Sequence, residues 1–398
     1  SMPTLEKHNK LNLKSILLVV YLTSFMLVEY SLYIGFSFKP YMMVSLIIIL
    51  IALSKNKTKT ISVYKKMPIY EVFIVFFVMY ATIRNIFAGD ILLGFKGSVA
   101  LWLSLFVYYF TAYSFKRINN DTIFRFIYWS GIINLLIIAI GFVFKDNRIF
   151  ELDRTVNRLK GYVQDPNFFA VYLSLPLIIV MFYFIKGKKN KIMAFLFLGV
   201  LFLTYSRATY ISIILTIVYL LYLLRNEIPR FRTKIVITIA MIVVGLLILS
   251  SLPFTKPIVD VAMENITARF NETASKNARE LLIQIGIDTF KENPLFGVGM
   301  LNVRYYTLDF ITNNYLHNTY LEVFVEQGII GGFLYLGFVI SFIMQKCNNV
   351  YSKILKAVVI CQLMMIFFLT AVNNEALFLS IGLFRAINSK QNPDVQER

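Results

Sequence analysis

Charge is scarce in this sequence. Only 16% of its 398 residues are charged, against roughly 25% in soluble domains, so most of the surface is expected to face something other than water. Histidine is nearly absent, with two residues, and cysteine is equally rare. Cys347 and Cys361 flank the inner end of one apolar stretch and do not form a disulfide framework. No cluster of His, Cys and carboxylates has metal-ligand spacing, so no cofactor or metal is expected. There is no phosphate loop of the Walker type, no dinucleotide fingerprint and no serine nucleophile elbow, which argues against chemistry driven by ATP. No internal repeat or low-complexity segment is visible.

What is present is apolar. Hydrophobic residues make up 58% of the chain and the mean hydropathy is +0.67. They come in blocks of the length that spans a bilayer, roughly 20 residues per helix. Candidate spans lie at 15–34, 39–54, 68–86, 91–114, 122–144, 166–185, 191–206, 208–224, 235–252, 317–345, 353–371 and 374–388. The first follows Lys7, Lys10 and Lys14 and has no small-residue cleavage site after it, so it is read as a retained helix. The expectation is an all-α polytopic integral membrane protein with about twelve transmembrane helices, the whole chain 1–398 forming one membrane domain.

The net charge of +18 reports orientation, not a nucleic-acid partner. With the N-terminus inside, alternate connections hold 24 of the 40 Lys/Arg and only five of the 22 acids. Those connections are the N-terminal tail, Lys55–Lys66, Lys116–Arg117, Lys186–Lys191, Arg225–Lys234, Lys346–Lys356 and the tail from Arg385. This is the positive-inside bias, and it places both termini in the cytoplasm.

Two connections are long, and both then fall outside: 145–165 and 252–316. Long loops in compact domains are usually functional or disordered. The second contains KNARELLIQIGIDTFKENPLFGVGM from Lys276. There Ala278, Leu281, Leu282 and Ile285 follow helical spacing, with Arg279, Glu280 and Asp288 on other faces. Asn293-Pro294 ends that helix, and Gly297 and Gly299 permit a tight turn. An amphipathic helix over the outer surface is expected, followed by a return into the next span.

Charged groups at a membrane rim are expensive and default to functional candidates. Arg207, in TYSRATY, must lie at the outer rim; it either snorkels to lipid phosphates or holds an anion between helices. Arg154 and Arg158, in ELDRTVNRLKGYVQDPNFFA, are either a solvated pair or a phosphate grip. In the same stretch Asp165, Pro166 and Asn167 read as the capped start of a helix. His317 opens HNTYLEVFVEQGIIGG, with Glu322 and Glu326 one to two turns deeper. A histidine there titrates near neutrality, and a nearby carboxylate would orient it. Within the spans, Lys96 is the clearest deep charge. One base and several arginines on one side suit a substrate with a hydroxyl to deprotonate and a diphosphate to expel.

These residues carry a resemblance to the O-antigen ligase and Wzy-type polymerase family of bacterial cell envelopes. NPLFGVG followed by HNTYLEVFVEQGIIGG resembles the family's signature region, TYSRATY its Ser-Arg-small motif, and GYVQDPNFFA its Pro-Asn motif ahead of a helix. The resemblance implies a GT-C-like, metal-independent, inverting glycosyltransferase with short amphipathic helices in its large outward loop. It implies His317 as catalytic base and Arg207 and Arg279 as ligands of the donor diphosphate, with Arg154 and Arg158 added on charge and location. Asn167, Asn318 and Glu322 complete the set as supporting residues. The implied substrates are undecaprenyl-diphosphate-linked oligosaccharides, as donor and acceptor, at the outer face of the bacterial plasma membrane. A chain-length regulator and a flippase are implied partners, and no nucleic acid. Of the family's two activities, polymerase is favoured over ligase because Lys-, Ile-, Asn- and Phe-rich composition suggests an AT-rich genome, and such bacteria often lack lipopolysaccharide. A flippase of lipid-linked sugars is the rival from another class; it should show repeats and midplane charges.

Overall fold

The computed structural model describes residues 13–33, 37–54, 66–153, 156–187, 191–226, 273–307 and 315–390, with five further positions between 260 and 267. Helices occupy the places of eleven of the twelve expected spans: α1 Leu13–Ser24, α2 Pro40–Ser54, α3 Ile69–Asn85, α4 Ile91–Phe115, α5 Asn120–Val143, α6 Pro166–Ile185, α7 Lys191–Phe202, α8 Arg207–Leu224, α11 Thr319–Met344, α12 Val350–Ile366 and α13 Glu375–Asn388. The stretch 235–252 lies outside the described residues. Between α8 and α11 come α9, Thr273–Glu292, and a single turn α10, Arg304–Thr307. Among the described residues five helices, α4, α5, α6, α8 and α11, are long and apolar enough to cross a membrane.

Burial explains why these helices belong in lipid. Soluble helices turn an apolar stripe inward and a polar face outward. Here the outward faces are apolar too: Trp129, Ile133, Leu136 and Ile140 along α5, and Ile211, Ile214, Leu215 and Val218 along α8, are all exposed. Exposed apolar surface of that extent marks contact with something other than water. The centre is α6, in which every residue from Phe169 to Tyr183 is buried. Around it α13 packs on α4, α11 on α3, and α12 on α8, α6 and α13, while α1 packs on α2 and α5.

The loops sort into two ends. One end joins Glu29 to Lys160 (2.7 Å), Lys39 to Glu375, and the backbone N–H of Asp90 to Asn302 Oδ1 (2.7 Å). The opposite end joins Arg385 to Glu71 (3.3 Å), Asn348 to Asn388, and Lys390 to Asn120 (3.0 Å). The structure adds two antiparallel hairpins that the all-α expectation did not include. One pairs Leu32–Tyr33 (β1) with Ser37–Phe38 (β2), and the other pairs Phe150–Asp153 (β3) with Val156–Leu159 (β4). The second occupies the 145–165 connection.

Two readings, one of the late loop and one of the span that follows it, need correction. First, α9 does bury one face, but that face is rotated from the expected one. Leu282, Gly286 and Thr289 are buried, Arg279 is half-buried on the same side, and Leu281 is 42% exposed. Gly286 sets the docking: a Cβ there would come within 2.8 Å of Leu316 and 3.0 Å of Leu321. Hydropathy could not show this, because a buried arginine reads as a surface residue. Second, α11 is not continuous. Gly328, at φ +65° and ψ −169°, breaks it, in a region only glycine adopts without strain.

Residues 294–300 fill the break. Val298 N–H donates to Val325 O (3.0 Å), Gly299 N–H to Glu326 O (2.7 Å), and Ile329 N–H to Pro294 O (2.8 Å). The expected turn at Gly297 and Gly299 is present, with φ of +68° and +94°. Its glycines allow the close approach, since a Cβ on Gly297 would sit 2.5 Å from Val325 O. Broken helices survive at membrane depth only where protein satisfies the freed backbone groups, and here it does.

Candidate functional site

A small, open cavity lies at the end of the bundle where Glu29 meets Lys160. It is lined by Arg158, Asn167, the turn Tyr205–Thr209, Arg279, and Met365, Phe368 and Leu369. Three of the four arginines read from the sequence therefore meet in one place; Arg154 lies outside the described residues.

The local sequence explains the convergence. Tyr205, at φ +46°, turns the chain from α7 into α8. Ser206 caps α8, accepting from the Thr209 N–H and hydroxyl, so Arg207 is the first helical residue. Asp165 caps α6 by accepting from Asn167 N–H (2.6 Å) and Phe168 N–H (3.2 Å), with Pro166 at the first helical position. Two helix N-termini thus border the cavity, and both favour an anion.

The arginines differ in commitment. Arg158 is only 4% exposed. Its Nε donates to Thr204 O (2.9 Å) and its terminal nitrogen to Asn167 Oδ1 (3.0 Å), while Leu159 N–H donates to Leu203 O (2.8 Å). Arg158 therefore staples β4, the α7–α8 turn and the start of α6 together. Arg207 and Arg279 are half-buried, and among the described residues neither has a hydrogen-bond partner. Burial holds the Arg279 guanidinium below its ordinary pKa, and Arg207 and Arg158 push it the same way, against Asp165.

His317 stands beside this group. Burial lowers its pKa from the usual imidazole value, the Arg279 charge lowers it further, and Asp165 opposes both. The net direction favours the neutral imidazole, the form that accepts a proton. Its backbone is unusual, at φ +53°, a left-handed conformation in which histidine is enriched among non-glycine residues. His317 N–H donates to Thr370 Oγ1 (3.3 Å), and Thr370 Oγ1 donates to Glu322 Oε2 (2.6 Å). Leu316 N–H also donates to the Glu322 carboxylate. Glu322 thus fixes the backbone that carries the histidine, where the sequence reading had it orienting the imidazole. Asn318 caps α11 through Leu321 N–H (3.1 Å). Glu326 is buried beside the backbone of Leu301 and Val303.

Lys96 lies on the exposed face of α4, beside Leu92 and Phe95; it does not line the cavity. Four contributors were missed by the sequence reading. Asp165 had been read only as a cap; its cap position was legible, its proximity to His317 and Arg279 was not. Thr370 has no sequence signal, because its role depends on α11 docking against 369–371, where Thr319 Oγ1 donates to Leu369 O (2.6 Å) and accepts from Ala371 N–H (2.9 Å). Phe368 and Leu369, from the same segment, give the cavity an apolar wall.

A many-helix membrane protein with an end-on cationic cavity and an adjacent histidine is the class this defines. Residues 192–336 match the family model described as O-Antigen ligase, Wzy_C. That stretch runs from α7 through Arg207, Arg279 and His317 into α11, and over it the chain is similar to the O-antigen ligase family. The family is one of glycosyltransferase-like enzymes of ligase or polymerase type, acting on lipid-linked glycans. No curated protein matches the sequence.

Proposed function

We propose that the protein is a polysaccharide polymerase that joins undecaprenyl-diphosphate-linked oligosaccharide units at the extracytoplasmic face of the membrane, with about twelve spans and both termini inside. The observation that carries the reading is the meeting of Arg207 and Arg279, uncommitted to other described residues, with His317 beside a cavity bordered by two helix N-termini. The neutral His317 imidazole takes the proton of an acceptor sugar hydroxyl. The hydroxyl oxygen forms a bond to the anomeric carbon of the donor as the bond from that carbon to the diphosphate oxygen breaks. The electron pair leaves on the diphosphate, where Arg207 and Arg279 neutralise the developing charge. A single displacement inverts the anomeric centre. Arg158 and Asn167 hold the walls, and Phe368 and Leu369 suit the lipid end of the donor.

A cavity at one end, not at the midplane, favours an enzyme over a flippase, whose site is expected near the bilayer centre. Purified protein supplied with lipid-linked repeat units should give a ladder of products on a gel. The ladder should vanish in His317→Ala and in Arg207→Ala. A ladder surviving loss of His317 sinks the base assignment. The family description itself favours a second reading, transfer of finished glycan to a final acceptor; product appearing only on an added acceptor would establish that instead.

A further inference from the structure

The cavity explains Arg207, Arg279 and His317 but not another arginine, Arg84, far along the chain from all of them. Arg84 lies in the last turn of α3 and donates from Nε to Phe296 O (2.6 Å) and from a terminal nitrogen to Gly297 O. One turn earlier on the same helix, the Tyr80 hydroxyl donates to Gln327 O (3.0 Å). Asn85 Oδ1 accepts from Met300 N–H (2.9 Å) and from Gln327 Nε2 (3.2 Å). These three side chains grip both halves of the junction in which residues 294–300 fill the break in α11.

The junction is continuous with α9. Gly297 N–H donates back to Asn293 O (3.0 Å), and Asn293 N–H donates to Thr289 O (3.2 Å), so only Asn293 separates helix from clamp. We infer that Arg84, with Tyr80, is a positioning residue that fixes the C-terminal end of α9 and thereby sets where Arg279 stands relative to His317. The inference rests on the reading of the cavity as the donor site. Arg279 is about 14 residues from the clamp, or roughly 21 Å of helix, so tilting α9 by about 3° displaces it by about 1 Å. Displacements of that size cost up to about 100-fold in rate. The contact of Gly286 with Leu316 and Leu321 restrains the helix midway, which brings the expected loss nearer to 10-fold.

The test pairs a structural readout with a kinetic one, on full-length protein in detergent. In Arg84→Met, amide hydrogen exchange should quicken over 279–300 and stay unchanged in α12 and α13. Tyr80→Phe, the milder change, should show the same pattern to a lesser degree and serves if Arg84→Met does not fold. For glycan transfer, Arg84→Met should lower kcat about 10-fold with little change in donor KM, and Arg84→Lys should recover part of the loss. Arg84→Met combined with Arg279→Ala should be no slower than Arg279→Ala alone, because one acts through the other. Unchanged exchange over 279–300, or losses that multiply in the double variant, would overturn the inference. If the wild type transfers nothing, the donor-site reading fails on that result, and the exchange pattern alone still decides whether Arg84 fixes α9.

Discussion

Replacing Arg158 and Arg207 separately should produce two different kinds of failure, although both line one cavity. Arg158 makes two charge-assisted hydrogen bonds while 4% exposed, to Thr204 O and to Asn167 Oδ1. Hydrogen bonds to charged groups contribute about 1.5–3 kcal/mol each. Arg158→Ala also strands a carbonyl and an amide oxygen, so a destabilisation of about 3–5 kcal/mol is expected. Thermal unfolding in detergent, followed through the intrinsic fluorescence of Trp102 and Trp129, should show a clear drop in midpoint and a parallel loss of transfer. Arg207 has no hydrogen-bond partner among the described residues. Arg207→Ala should not lower the midpoint, but it should lower kcat about 100- to 1,000-fold, the usual effect of losing one donor to developing negative charge. Arg158→Lys should behave like Arg158→Ala, because an ammonium cannot reproduce the planar fork. If Arg158→Ala melts like the wild type while losing all transfer, the division of the arginines into one staple and two ligands is wrong.

Other consequences can be checked on the same preparations. The acid limb of the pH–rate profile should report His317: activity falls as pH drops through a pKa below the ordinary imidazole value, because burial and then Arg279 favour the neutral ring. Arg279→Gln removes one of those causes, so the limb should move to higher pH, and an unmoved limb would separate His317 from Arg279. Thr370→Val deletes the bridge between His317 N–H and Glu322; kcat should fall about 10-fold with donor KM nearly constant, as for a misplaced base. Gly328→Ala meets Leu295 O at 2.2 Å in a glycine-only conformation. The backbone strain alone costs about 1–3 kcal/mol, and the yield of folded protein should collapse; normal yield and melting would refute the account of the broken helix.

Much of the helical framework was legible because bilayer-length apolar blocks leave little choice of structure. The convergence of Arg158, Arg207, Arg279 and His317 was legible in part, from the shared side of the membrane implied by charge bias. What sequence could not give was commitment. Whether Arg158 grips phosphate or a carbonyl depends on Thr204, 46 residues away, and a main-chain oxygen leaves no mark in a sequence. The rotation of α9 escaped for a related reason: periodicity assigns a helix face by hydropathy, and Arg279 is an inward residue that hydropathy assigns outward. The interruption of α11 was hidden as well, since EQGIIGG reads as a span containing small residues, and only residues 294–300 reveal which glycine is the break.

The two ends of the bundle show why commitment is the useful quantity. At the basic end, cations are used on the chain's own backbone: Arg385 donates to Lys66 O, Lys356 to Gln345 O (2.9 Å), and Lys390 to Ile118 O. Each closes off a carbonyl near a helix end, the common structural use of a cation there. Burial also draws the Lys390 ammonium down to about 8. At the cavity end, Arg84 and Arg158 follow the same pattern, on Phe296 O and Thr204 O. Arg207 and Arg279 do not. Both stand half-buried with like charge near like charge, an arrangement that raises the energy of the empty cavity and is relieved by an anion. A diphosphate carries the charge to relieve it, and its departure restores the repulsion, so the two residues proposed to bind the donor oppose release of the spent carrier until another anion takes its place.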